Sequence, residues 1–144
     1  MIQRIQSIFM LLASIALFSL FFIPFALSDK ATSPFFEDQL FNVNDHTILL
    51  VLCILGASVC LISIFLFKNR NLQLRLGYLG IICSLFLGIV AFWLIYSNAN
   101  EMSDTNVEDQ FGLYIPLISL ILIVLANRYI KKDDDLVDSM ERLR

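Results

Sequence analysis

Three thiols, one imidazole and a few clustered carboxylates are the groups in this sequence able to do chemistry, and their spacing limits what each can do. Cys53 and Cys60 lie seven apart in one apolar run, which on a helix separates them by about 10 Å along the axis, too far for a disulfide. Cys60 and Cys83 each lie seven residues from the facing ends of two consecutive runs, so they can approach across a hairpin. A thiol pair there would bind metal or cycle redox only as thiolate, which apolar surroundings disfavour. Packing as small hydrophobes is the reading adopted, with no cofactor and no metal expected. His46, the single histidine, stands beside Asp45; without positioned partners it reads as a capping or interfacial residue rather than a catalyst. Asp104, Glu108 and Asp109 lack the spacing and the glycine of a calcium loop, so they read as a solvated acidic loop. There is no H-E-x-x-H, G-x-S-x-G or phosphate-binding loop. No catalytic residue is named, and the chain is expected not to be an enzyme.

The elements that carry these residues follow from composition. The 144 residues are 58% hydrophobic and 16% charged, with mean hydropathy +0.79, outside the range of soluble globular domains. Four runs are long enough to cross about 30 Å of hydrocarbon: residues 5–25, 47–67, 76–96 and 111–128, followed by a tail at 129–144. The whole chain is read as one all-α integral domain, a four-transmembrane-helix bundle. The first run resembles a secretory leader, with Ala26-Leu27-Ser28 as a cleavage-like tripeptide, but its apolar core exceeds the usual 7–15 residues or so and is expected to persist as a span. Pro24 stands where that helix ends. Nine of the ten cations fall before the first run, between the second and third, or after the fourth, while Lys30 alone joins eight acids in the other two loops. Both ends of the chain and the middle loop are therefore expected in the cytoplasm, and the two acidic loops outside.

Small residues predict how the spans pack. In the third run Gly77, Gly80, Ser84, Gly88 and Ala91 recur at helical spacing, and in the second Cys53, Gly56, Cys60 and Ser63 do the same. In lipid, helices associate where such faces let backbones approach, so the two runs are expected to form an antiparallel hairpin through these faces, with the first and fourth runs packed around it. The span interiors hold no Asp, Glu, Lys, Arg or His, which argues against a proton-coupled carrier or an ion channel.

The first acidic loop contains Ser33-Pro34, a helix-start pattern followed by Phe35, Phe36, Leu40 and Phe41; a short interfacial helix or an irregular greasy loop both fit. Asn44 or Asp45 is expected to cap the second span, and Gly112 and Pro116 to open the fourth. Past the fourth span, Asp133-Asp134-Asp135 reads as a break or a fresh helix start. Leu136, Val137, Met140 and Leu143 then share one face, and Asp138 stands four before Arg142, the pattern of a short amphipathic helix.

The opening Met1-Ile2-Gln3-Arg4-Ile5-Gln6, the Gly112-x-Tyr114-x-Pro116 pattern, and the closing Asn127-Arg128, Lys132-Asp133, Leu136-Val137 and Glu141-Arg142-Leu143-Arg144 resemble a family of short four-span inner-membrane proteins of the Bacteroidetes lineage known as a domain of unknown function. The resemblance implies architecture and location and supplies no activity, cofactor or site residue. The function expected is that of a non-enzymatic accessory or scaffold subunit whose tail, through Leu136, Val137, Met140, Arg142 and Leu143, engages a membrane or cytoplasmic protein. A small-molecule or lipid-handling transporter acting as a homo-oligomer is the alternative. Nucleic acid is not expected as a partner, because five acids offset the cations of the tail.

Overall fold

Apolar runs without interior charge satisfy their backbone most completely as helices, and four form: α1 (Gln3–Ser19), α2 (Thr47–Phe65), α3 (Arg70–Glu101) and α4 (Ile115–Arg142). The computed structural model describes residues 3–28, 39–66, 69–101 and 107–142, with side chains over 5–28, 39–66, 69–97 and 108–136. The Ser33-Pro34 segment and Asp104 lie outside the described residues. Among the described residues, three stretches are long and apolar enough to cross a membrane: Thr47–Phe65, Arg70–Ser97 and Phe111–Leu136. The apolar part of α1, Ile5–Ser19, is shorter.

The expectation of a first helix reaching residue 25 is corrected. The amides of Leu20, Phe21 and Phe22 turn back onto the carbonyls of Leu17, Phe18 and Ser19, a tightening that ends the helix before Pro24, where no N–H exists to continue it. α3 departs in the opposite sense, starting six residues before the apolar run and ending five after it. Residues Asp133 to Asp135 do not break α4, which continues to Arg142. The Arg70 guanidinium reaches the carboxylates of Asp133 and Asp134 at 3.0 and 3.7 Å and the Asp133 carbonyl at 3.2 Å, so the start of α3 offsets part of the charge of the mid-helix acids.

The helices form a ring in which α1 packs on α2 and α4, and α3 packs on the same two. Neighbours run antiparallel: Ser14 of α1 meets Ala57 and Leu17 meets Cys53, while in α3 Gly80 adjoins Cys60, Gly77 adjoins Asn127 and Gly88 adjoins Pro116. Met10, Ala13, Leu17, Leu49, Cys53, Ala57, Leu87, Ala91, Ile123 and Ala126 fill the interior.

At one end of the ring the two longer connections pair into a three-stranded antiparallel sheet that the sequence reading lacked. β1 (Ala26–Ser28) is central, between β2 (Leu40–Phe41) and β3 (Val107–Asp109). The cleavage-like tripeptide is therefore a structural strand. Phe25 donates its amide to the Phe41 carbonyl and accepts from Gln110, at 2.8 and 3.0 Å, and the Phe25 and Phe41 rings lie buried 5.9 Å apart beneath. Backbone groups beside a buried apolar core need internal partners, and the sheet supplies them. A 3-10 turn at Val43–Asp45 precedes α2, with the Asp45 carboxylate accepting the Asn42 amide. The cap of α2 is His46, not Asn44 or Asp45: its Nδ1 accepts from the Ile48 amide at 3.3 Å. A second 3-10 turn, Phe111–Tyr114, leads into α4. Here Gly112 is obligatory, because a Cβ would strike the Pro24 carbonyl, to which the Gly112 amide donates at 3.2 Å.

Candidate functional site

Two features of the α3–α4 seam stand out, one toward the sheet and one toward Arg70. The stripe of small residues on α3 organises both. Contrary to the expectation that it faces α2, Gly77, Ser84 and Gly88 face α4, and only Gly80 touches both neighbours, lying between Cys60 and Ile123. On α2, Gly56 sits between Leu17 of α1 and Cys83 of α3, and the Cys53 thiol donates to the Leu17 carbonyl at 3.1 Å. The small faces of the two helices thus close on the outer helices as much as on each other. The physical reason is the ring: each helix has two neighbours, and a face flanked by both must stay narrow.

Toward the sheet, the seam opens. The hydroxyls of Ser84 and Ser119 lie 2.6 Å apart, and both reach the Pro116 carbonyl, at 2.7 and 2.9 Å. Above this knot α3 and α4 part around a groove of about 870 Å³, whose walls include Phe92, Trp93, Tyr96, Tyr114, Leu117 and, at its sheet end, Asp109. Its floor is Gly88 and Pro116. No lysine or arginine is among its described lining residues. Phe92 and Tyr96 pair at 4.3 Å between centroids, and Trp93 is 65% exposed. A mainly apolar concavity of this size with a few polar groups at one end is the usual form of a small-ligand site.

Toward Arg70, the seam closes over amides. Gln6 of α1, Ser63 of α2, Gln73 of α3 and Asn127 of α4 are all buried. Gln6 Nε2 donates to Gln73 Oε1 over a long 3.5 Å. Gln6 Oε1, Gln73 Nε2, Ser63 Oγ and both amide atoms of Asn127 have no hydrogen-bond partner among the described residues. Asn127 lies so close to Gly77 that a Cβ there would overlap its amide. In the sequence Ser63 and Gly77 stand out as small residues of the packing stripes, and Gln6 and Asn127 as parts of terminal motifs. The antiparallel ring brings four helices' polar residues together, a long-range outcome with no local pattern.

Among the described residues no group of His, Cys, Asp or Glu is arranged to hold a metal. The three cysteines are free thiols, Cys53 and Cys60 buried and Cys83 partly so. Of the tail residues expected to bind a partner, Leu136 is 44% exposed; the side chains of Val137, Met140 and Arg142, and the whole of Leu143, lie outside the described residues.

Four antiparallel helices, clad outside in Ile8, Ile15, Phe65, Leu79, Phe86 and Ile118 and with three stretches of membrane-crossing length, define an α-helical bundle of membrane-protein type. The chain belongs to the family described as domain of unknown function DUF4293, whose family model matches residues 2–143. No curated protein and no solved structure matches it.

Proposed function

We propose that this chain is a non-catalytic, four-span protein of the inner membrane, with both ends in the cytoplasm, that binds an amphiphilic molecule between α3 and α4. The observation carrying the binding reading is the groove: an apolar trough with aromatic walls and a carboxylate at one end. The charge asymmetry of the loops supports the orientation, putting the sheet outside. α1 supports the fourth span by packing along both α2 and α4, although its 17 residues cover only about 25 Å. Trp93 is the sole tryptophan and lines the groove, so its fluorescence reports occupancy. Lipids with brominated acyl chains should quench it saturably at low mole fraction; quenching that rises only in proportion to bulk brominated lipid would end the binding reading. For orientation, thiols introduced at Ser33 and Ser103 should react with impermeant reagents from outside and one at Asn69 should not.

A second reading, an accessory subunit acting through its tail, is favoured by the unbroken α4, which projects past the Arg70 clamp with Leu136 exposed. Truncation after Leu136 leaves the clamp in place. It should preserve insertion and thermal stability while removing a co-purifying protein. An unstable truncated chain would make the tail a structural strap instead.

A further inference from the structure

The groove's two ends differ in chemistry, and the difference selects among amphiphiles. From Ser84 to Ser97 its α3 wall runs over 14 residues, about 20 Å of helix, more than the thickness of one leaflet of a roughly 30 Å hydrocarbon core. That length and the leucine and aromatic lining suit a single acyl chain lying along the seam. At the sheet end the polar lining consists of Ser97, Asp109 and the two tyrosines, Tyr96 and Tyr114. Asp109 is exposed on β3 and its neighbour Glu108 is exposed too. With no cationic side chain among the groove's described residues, a phosphate or carboxylate bearing net negative charge would meet like charge from Asp109. An ammonium group meets the reverse: a carboxylate for its charge and electron-rich ring faces within the same lining.

We propose that the groove selects a phospholipid with an ammonium-bearing, net-neutral headgroup, its acyl chain between α3 and α4 and its ammonium beside Asp109 and the tyrosine rings. The assignment rests on the groove reading above and adds the headgroup class to it. A second copy of the chain is the competing occupant, since Trp93 and Phe92 also offer an apolar face.

Headgroup and groove are tested separately in one series. The full-length protein is placed in vesicles of unlabelled phosphatidylglycerol, with small additions of brominated lipid carrying ethanolamine, choline or glycerol headgroups, and Trp93 emission is followed. Half-maximal quenching should need about fivefold less of the ethanolamine or choline lipid than of the glycerol lipid, the scale of an exposed cation–π or ionic contact. Ethanolamine surpassing choline would identify hydrogen bonding as the source of preference; the reverse would identify ring contact, and both support the assignment. Asp109→Asn should erase the preference while leaving quenching saturable, and Tyr114→Leu should reduce it, with thermal melting verifying that each variant is folded. Saturable quenching with equal affinity for all three headgroups overturns the headgroup assignment and leaves the groove standing. Absence of saturable quenching by any lipid overturns the groove reading as well, and cross-linking through a thiol at Leu117 into a dimer would assign the face to a second copy.

Discussion

The two ends of the α3–α4 seam solve opposite problems with similar residues. Toward the sheet, Ser84, Ser119 and the Pro116 carbonyl satisfy one another within a single knot, so the helices above them are free to part and leave an apolar groove. Toward Arg70, Gln6, Gln73 and Asn127 carry more polar atoms than the fold pairs, yet the helices stay shut. The contrast teaches that polarity in the interior does not itself open a bundle. What matters is whether the small residue faces a bulky partner or none: Gly77 is filled by Asn127, whereas Gly88 touches only Pro116.

Substitutions at the glycines break this comparison most severely. Gly112→Ala should destabilise by about 3 kcal/mol or fail to fold, because its methyl group meets the Pro24 backbone, which has no side-chain freedom to yield. Gly77→Ala should cost less, about 1–2 kcal/mol, since the Asn127 amide can swing aside. Gly88→Ala, whose Cβ finds ordinary contact 3.5 Å from Pro116, should be close to neutral. Thermal unfolding of the purified variants in one detergent checks the order; three equal losses would mean that the seam is uniformly packed.

The amides sharpen it next. Gln73→Leu alone strands Gln6 and should cost about 1 kcal/mol, whereas Gln6→Leu with Gln73→Leu should be neutral or stabilising, because unpaired buried atoms disappear with their partners. A double variant as costly as the sum of its singles would show that these amides answer to something other than each other.

The cysteines, which lie between the two ends, test the comparison from its middle. A Cys53, Cys60 and Cys83 to Ala triple variant should insert normally and lose at most about 2 kcal/mol, reflecting lost volume and the Cys53 bond to Leu17. Loss of a bound metal or of a redox response on making it would overturn their structural role.

Much of this fold is legible locally. The start of α2 at Thr47 and the apolar centre of α3 follow from composition. Which neighbour each small face meets is not legible, since a stripe records width and carries no address. Periodicity also misjudges the ends: Asp133 to Asp135 look like a helix start until the Arg70 guanidinium, 63 residues before Asp133 in sequence, pairs with Asp133 and Asp134. The groove draws its aromatic walls from two runs, Phe92, Trp93 and Tyr96 from the third and Tyr114 from the fourth. Its depth depends on the packing of Gly88 against Pro116, which only the tertiary fold reveals.

The central strand carries a consequence for synthesis. β1 leaves the ribosome soon after α1, and β2 follows within the same loop, but β3 pairs with it from about 80 residues further on. At roughly 5–20 residues per second, one edge of β1 waits some 4–16 seconds for its partner. During that interval the first helix has no sheet joining it to the last, and an open edge is available to any passing strand. The ring of helices is therefore closed late, by three residues at its rim, and the time between the first loop and the last is when the nascent chain is most exposed to mispairing.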